Sequence, residues 1–205
     1  MRAETLVQGR PLGEGRAVVI MVHGRNAAPQ NILTLVPEFR ASDATFLAPA
    51  APSGAWYPQS FMAPTEANEP GIRNGISELH GLVDDAIAAG VPTERIVLLG
   101  FSQGACLACT AAQRRPARYG GVIAYSGGLI GPPGTVWAAN GDFEKTPVFL
   151  GCSDVDAHIP AERVRESAAH FERMGATVTM RLYPGMGHLV CEDELDFTRD
   201  LLSQL

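Results

Sequence analysis

The 205-residue sequence has no long hydrophobic run and no concentration of positive charge. Its longest purely aliphatic stretch, AVVIMV at 17–22, is far too short to span a bilayer. The N-terminal residues contain no apolar region of the kind that a signal peptide requires. The net charge of −6 comes from dispersed carboxylates, and no basic stripe is present to bind phosphates or anionic lipids. These absences disfavour nucleic-acid binding and membrane insertion, and they predict a cytoplasmic protein.

Cysteine is also scarce, and its positions do not indicate a disulfide framework. The four cysteines are Cys106, Cys109, Cys152 and Cys191. Cys106 and Cys109 form a CxxC pair, but the pair falls inside a predicted helix rather than at its start. We therefore interpret both as small buried side chains instead of a redox or zinc pair. The sequence alone assigns no role to Cys152 or Cys191.

The pattern of apolar residues predicts the fold class. With 46% apolar residues the chain can bury one sizeable core, so one domain spanning 1–205 is expected. Continuous apolar runs predict strands at 17–24, 44–50, 95–102, 120–128, 147–152 and 177–185, with an edge strand near 4–9. Helical spacing and boundary residues predict helices at 70–89, 103–113, 160–174 and 192–202. This alternation is typical of an α/β fold with a mainly parallel, doubly wound sheet and helices on both faces.

One segment, residues 51–69, has no clear period and is rich in proline and aromatic residues. Loops of this length inside a compact domain are usually functional, so we expect this segment to face the substrate. Its large apolar side chains either line an apolar substrate site or anchor the loop onto the core, and the sequence leaves both interpretations open. These side chains are Trp56, Tyr57, Phe61 and Met62.

The strongest local motif is the G-x-S-x-G of residues 100–104, with Ser102 at its centre. A buried-strand run precedes the motif and a small-residue helix follows it, which is the context of a nucleophile elbow. Glycine is required on each side, because a Cβ at Gly100 or Gly104 would collide with the neighbouring helix or strand. The helix also directs its first N–H groups towards the place where negative charge would develop. An ordinary Gly-rich turn is the alternative, and a phosphate-binding loop lacks the lysine that it would need.

A nucleophilic serine requires a base, and His188 is the histidine whose position fits. In a fold of this kind the nucleophile is followed along the chain by the acid and then by the histidine. His188 lies in a Gly-rich loop and follows both Ser102 and a pair of aspartates, Asp154 and Asp156, placed just after a strand. The residues themselves leave the choice of acid open. Asp154, Asp156 and His158 could instead line one face of an extended segment and bind a metal.

The sequence resembles the carboxylesterase/phospholipase family of α/β-hydrolases, which includes acyl-protein thioesterases and small bacterial esterases. The resemblance covers roughly residues 15–204 and rests on five segments in order: VHGRNAAPQNIL, APSGAWYPQSF, GFSQGA, DVDAHIP and GMGH. It implies an α/β-hydrolase fold without a large cap domain, with Ser102 as nucleophile and His188 as base. It also selects Asp156 as the acid, because this residue begins the segment that matches the family's Asp-Pro-x-Val-Pro, with Ala157 replacing the first proline.

The same resemblance implies an oxyanion hole made of two backbone N–H groups, those of Gln103 and Arg25. Asn26 stands where the family usually has glycine. Asparagine tolerates left-handed backbone angles better than other non-glycine residues, so we expect this loop to be preserved. The resemblance implies no metal and no other cofactor, and it is compatible with a homodimer.

We therefore expect a serine carboxylesterase that hydrolyses small-molecule esters of short to medium chain length through an acyl-enzyme. An acyl thioesterase or a lysophospholipase would use the same residues. Three further interpretations compete with this one: a metal-binding protein, a non-catalytic binding module on the same scaffold, and a different reaction such as that of a lyase.

Overall fold

Seven strands form one sheet in the computed structural model, which describes residues 4–205. Their order across the sheet is β1-β3-β2-β4-β5-β6-β7, and all neighbours are parallel except β1 and β3. The strands are β1 (Thr5–Gly9), β2 (Val18–Val22), β3 (Thr45–Pro49), β4 (Ile96–Phe101), β5 (Gly121–Tyr125), β6 (Pro147–Ser153) and β7 (Thr177–Tyr183). Each overlaps a stretch that the sequence predicts as a strand, and the mainly parallel α/β sheet is confirmed.

Helices cover both faces of this sheet. They are α1 (Pro29–Leu33), α2 (Val36–Phe39), α3 (Gly71–Ala88), α4 (Gln103–Arg114), α5 (Ala161–Arg173) and α6 (Glu192–Ser203). Helices α3, α4 and α5 pack on one face, whereas α1, α2 and α6 pack on the other. The four longer helices confirm the predicted ones, but α1 and α2 were not predicted, since four or five residues are too few to show a helical period. Between residues 4 and 205 no helix is both long and apolar enough to cross a membrane.

The two-sided cover explains the composition of the strands. All residues of β2, β3 and β5 are buried, and so are five of the six residues of β4. A strand that is covered on both faces has no solvent side, so its sequence is continuously apolar. The edge strand β7 is only half-buried, in keeping with its more polar sequence TVTMRLY.

The parallel arrangement brings four loops together at one edge of the sheet. They follow the carboxyl ends of β2, β4, β6 and β7, and they carry Arg25, Ser102, Asp156 and His188 respectively. Ligands of open α/β sheets bind at this edge, because the loops there converge over the strand ends. The fold therefore assembles residues that lie far apart in the sequence.

The start of α6 contains a buried carboxyl group. Glu194 is fully buried, and its Oε2 accepts a hydrogen bond from the N–H of Cys191 at 2.9 Å. Its Oε1 has no hydrogen-bond partner among the described residues, and it packs so closely on Gly151 that a Cβ there would overlap it. Burial raises the pKa of Glu194 from 4.5 to about 7. The folded protein therefore binds this proton more tightly than the unfolded chain does.

We predict that the free energy of unfolding falls as the pH rises from 4.5 to about 7 and then levels off, because in that range the unfolded chain has released the Glu194 proton whereas the folded protein still holds it. The difference between the two pKa values corresponds to about 3 kcal/mol. Urea denaturation of Glu194→Gln at pH 5 and pH 8 should show that this part of the pH dependence is lost. Glu192→Gln, at an exposed position of the same turn, is the control. An unchanged pH dependence in Glu194→Gln would contradict the assignment.

Candidate active site

Ser102 lies on a strained turn between β4 and α4. Its backbone has φ 56° and ψ −122°, and its N–H donates to the carbonyl oxygen of Tyr125 at 2.9 Å. Gly100 and Gly104 permit this turn, as predicted, since a Cβ on Gly100 would overlap the backbone of Gly104, and one on Gly104 would overlap the carbonyl oxygen of Val22. The turn therefore places the hydroxyl above the sheet, at the start of a helix.

The structure brings Ser102, His188 and Asp156 together in one hydrogen-bonded series. His188 Nε2 lies 2.8 Å from Ser102 Oγ, and His188 Nδ1 lies 2.7 Å from Asp156 Oδ2. The Asp156 side chain is inaccessible to solvent, whereas that of His188 keeps 21% of its surface exposed. The imidazole also packs against the rings of Phe101 and His158, with centroid distances of 5.0 and 4.8 Å. These contacts fix the ring with one nitrogen on the hydroxyl and the other on the carboxylate.

The loop around Asp156 holds its carboxylate in the charged form. Burial by itself would raise the pKa of Asp156, but hydrogen bonds outweigh it and lower the pKa below the ordinary value. These bonds come from His188 and from the N–H groups of His158 and Ile159, which reach Oδ1 at 2.8 and 3.0 Å. The thiol of Cys152, 3.7 Å from Oδ2, is a further donor. Burial raises the pKa of this thiol to about 12, so it remains protonated.

Asp154 and His158 do not converge with Asp156. The Asp154 side chain points to the loop that carries His188 and accepts the N–H of Gly185 at 2.8 Å. The His158 ring meets the His188 ring edge to face, whereas the carboxylate of Asp156 is hydrogen-bonded to His188 Nδ1. Across residues 4–205, no group of three or more His, Cys, Asp or Glu side chains has an arrangement that could hold a metal ion. The alternating spacing of the three residues therefore does not produce a ligand cluster.

Arg25 and Gln103 are the two residues whose backbone N–H groups are expected to form an oxyanion hole. Arg25 and Gln103 both line the cavity at the serine, and neither amide N–H has a protein acceptor among the described residues. Asn26 adopts the left-handed angle that its glycine-like position requires, with φ 58°, and its N–H donates to the carbonyl of Gly54 at 2.8 Å. The substitution of asparagine for glycine thus leaves the loop in a left-handed turn.

A cavity of about 670 Å³ opens above Ser102. Two of the four aromatic or apolar residues predicted to line it, Tyr57 and Phe61, do so. The other two do not: Trp56 is buried beneath the loop with its Nε1–H on the carbonyl of His23, and Met62 packs against the core. Trp56 and Met62 therefore anchor the loop onto the core and do not line the cavity.

Sequence reasoning missed several residues of this cavity. The apolar wall opposite Tyr57 comes from Ile32 and Leu35, at the short helix α1 and the turn after it. Phe101, beside the nucleophile, and Val190, after the histidine, complete that wall. The proline at the first position of α1 was the one available signal for this helix.

Buried thiols accompany the cavity but do not compete with the serine. Cys106, one turn along α4, lines the cavity, and burial raises its pKa to about 12. Cys109 is fully buried as well, which confirms the interpretation of the CxxC pair as small core side chains. A thiol that stays protonated is a poor nucleophile.

Comparison with known proteins gives a consistent result over nearly the whole chain. Acyl-protein thioesterase 1 of Neurospora crassa is 28% identical over 211 residues, covering 92% of this chain and 86% of that protein. The crystal structure of a phospholipase/carboxylesterase from Dyadobacter fermentans superposes with a TM-score of 0.93 at 35% identity, covering 98% of this chain and 96% of the other. A carboxylesterase of Bacillus cereus, 17% identical with a TM-score of 0.78 and coverage of 98% and 94%, shares the fold.

The family model described as phospholipase/carboxylesterase matches residues 10–205. That range includes the strained turn at Ser102, the loops after β6 and β7, and the cavity between them. The chain therefore belongs to the phospholipase/carboxylesterase family of α/β-hydrolases, enzymes that hydrolyse ester bonds.

Proposed function

We propose that this protein is a serine carboxylesterase that cleaves short- to medium-chain esters with Ser102, His188 and Asp156. The observation that carries the proposal is the unbroken hydrogen-bonded series from the Ser102 hydroxyl through His188 to Asp156. An acyl transfer needs a hydroxyl whose proton can leave as the oxygen attacks, and in this series His188 Nε2 is placed to accept that proton.

The first step follows from the two contacts of the imidazole. His188 Nε2 accepts the Ser102 proton while Oγ attacks the ester carbonyl, and the ring becomes positively charged. The Asp156 carboxylate, kept ionised by its hydrogen bonds, stabilises this charge through Nδ1–H and holds the ring in the required tautomer. The same proton then passes from Nε2 to the leaving alcohol. Water releases the acyl group by the reverse sequence, with His188 again acting as base.

The tetrahedral intermediate carries a negative oxygen that needs donors. We assign this role to the N–H groups of Arg25 and Gln103, two residues that line the cavity at Ser102. Gln103 is also the first residue of α4, where the positive end of the helix dipole stabilises a negative oxygen. In enzymes of this kind, each such donor contributes about 2.7–4 kcal/mol to the transition state. The two amides therefore account for a large share of the expected rate.

The cavity supports an acyl substrate with little charge. Its walls are formed by Tyr57, Phe61, Ile159 and the apolar residues of the opposite side, and the guanidinium of Arg25 is already occupied by backbone carbonyls. An apolar cavity of this size has room for a chain of short to medium length. An acyl thioester or a lysophospholipid presents the same carbonyl and chain, so these substrates are the second candidates. The Neurospora relative is named as a thioesterase, which favours the thioester among them.

We further propose that the protein acts in the cytoplasm. The support is that its four cysteines are free, three of them buried, as expected in a reducing compartment. A homodimer, compatible with the family resemblance, stays a prediction that the sedimentation coefficient would test.

We predict that a fluorophosphonate probe labels the protein at one residue, Ser102, because among residues 4–205 this is the hydroxyl that combines a hydrogen-bonded histidine with the two proposed N–H donors. Peptide mapping after labelling identifies the site, and Ser102→Ala is expected to abolish labelling and hydrolysis of p-nitrophenyl esters. Ser53→Ala, in a loop outside this cavity, is the matched control and should label normally. Labelling at another residue, or none in the unaltered protein, would refute the proposal.

We also predict that the two neighbouring aspartates differ strongly in their effect on kcat. Asp156→Asn should lower kcat by about 10⁴-fold, since an amide cannot stabilise the imidazolium and favours the wrong tautomer. Asp154→Asn should cost less than about tenfold, because asparagine can still accept the Gly185 N–H and a neutral hydrogen bond is worth about 1 kcal/mol. Steady-state kinetics on one ester measures both. Equal losses would mean that the acid has been misassigned.

A further inference from the structure

The side chain of Arg25 makes contacts that the proposed role of this residue as an oxyanion donor does not require, because that role uses only the backbone N–H. Its guanidinium donates to three successive carbonyl oxygens, those of Tyr57 and Pro58 at 2.9 Å each and that of Gln59 at 2.6 Å. Between residues 4 and 205 no carboxylate lies within ion-pair distance of Arg25. The guanidinium, which belongs to an exposed residue, is therefore held in the protein by backbone carbonyls, and its planar fork suits such a row of acceptors.

The second proposed oxyanion residue binds the same stretch of chain. The side chain of Gln103 accepts the N–H of Trp56 at 3.0 Å and donates to the carbonyl of Tyr57 at 2.8 Å. We call residues 56–59 the aromatic segment and residues 23–26 the oxyanion loop. Both residues proposed to supply an oxyanion N–H thus use their side chains to hold the aromatic segment.

Two further contacts join these elements from the oxyanion loop. The indole Nε1–H of Trp56 donates to the carbonyl of His23 at 2.9 Å. His23 Nε2 accepts the N–H of Ala51 at 3.1 Å, and its Nδ1–H donates to the carbonyl of Gly24 at 2.8 Å, so the ring connects the loop before the aromatic segment to the oxyanion loop. The aromatic segment is consequently a fixed wall and not a free cover over the cavity.

We propose that the Arg25 guanidinium is a positioning group that locks the aromatic segment to the oxyanion loop and thereby keeps the Arg25 N–H aimed at the oxyanion. The inference rests on the proposed esterase function. The side chain and the N–H belong to one residue, so loss of the three guanidinium bonds removes a restraint on the residue that carries the donor, and its N–H can move away from the oxyanion. Such a displacement weakens a contact that forms in the transition state more than in the bound substrate, and kcat should respond more than KM.

The kinetic test compares Arg25→Ala and Arg25→Lys with the unaltered protein. Lysine keeps the charge but reaches one carbonyl at a time, so both variants should lose about 10- to 100-fold in kcat, less than the complete removal of a donor. KM should change by less than about threefold, since the aromatic segment keeps its bonds to Gln103. Arg118→Met is the matched control, because Arg118 donates to a loop carbonyl, that of Lys145, away from the cavity.

Chemical rescue separates positioning from a general loss of structure. Guanidinium chloride at millimolar concentration, far below denaturing levels, should restore kcat in Arg25→Ala, whereas sodium chloride at the same ionic strength should not. Restoration supports the proposal. A rise in KM with kcat unchanged would mean that Arg25 serves only as cavity wall, and it would overturn the inference.

A spectroscopic test does not depend on esterase activity. In a Trp137→Phe background, Trp56 is the remaining tryptophan, and it is only 4% exposed. Arg25→Ala should increase quenching of its fluorescence by acrylamide at least about twofold, because the aromatic segment loosens. Unchanged quenching would refute the lock even in an active enzyme. Increased quenching in a protein that hydrolyses no ester would retain the lock, refute the esterase function and overturn the catalytic part of the inference.

Discussion

The close approach of α4 to β2 at Gly104 constrains the rest of the site. A Cβ at this position would overlap the carbonyl oxygens of Val22 and His23, so the helix can start directly above the strand ends only with glycine here. Ser102 must then take up the change of direction, and it does so at φ 56°, a conformation that costs about 1–3 kcal/mol for a non-glycine residue. The surrounding sheet stabilises this turn through the hydrogen bond from Ser102 N–H to Tyr125. The strained backbone of Ser102 and the position of its hydroxyl at the start of α4 therefore have a single cause.

The parallel sheet determines which other residues can reach that hydroxyl. Ser102 and His188 are separated by 86 positions along the chain, and β5 and β6 lie between their strands, yet they are in hydrogen-bond contact because both loops leave the same carboxyl end of the sheet. The loop after β6 lies between them in sheet order, and the N–H of Asp154 donates to the carbonyl of Tyr183 at the end of β7. A backbone hydrogen bond thus joins the start of the loop after β6 to the end of β7, in addition to the contacts between side chains. Side-chain contacts such as that of Asp154 with Gly185 extend this pairing towards the histidine.

The sequence could predict those parts of the molecule that obey a repeating pattern. Buried parallel strands are continuously apolar and long helices are periodic, so these elements were located within a few residues. The helices α1 and α2 have five and four residues and show no such pattern, which is why Ile32 and Leu35 were missed as part of the cavity wall. Side-chain direction in the aperiodic segment 51–69 was equally unpredictable. Trp56 turns inward because its indole N–H finds the His23 carbonyl, a contact between distant parts of the chain.

The acid loop illustrates why the alternating aspartates could not be separated by spacing alone. A buried carboxylate is unfavourable unless its lone pairs are satisfied, and Asp156 accepts two backbone N–H groups on one oxygen and His188 on the other. The two N–H groups belong to the turn that Asp156 itself begins, so its charge stabilises the turn that buries it. Asp154 remains exposed and needs no such compensation. The aspartate that faces His188 is therefore the one whose own loop donates hydrogen bonds to its carboxylate. Whether those donors are available depends on the conformation of the three residues that follow Asp156.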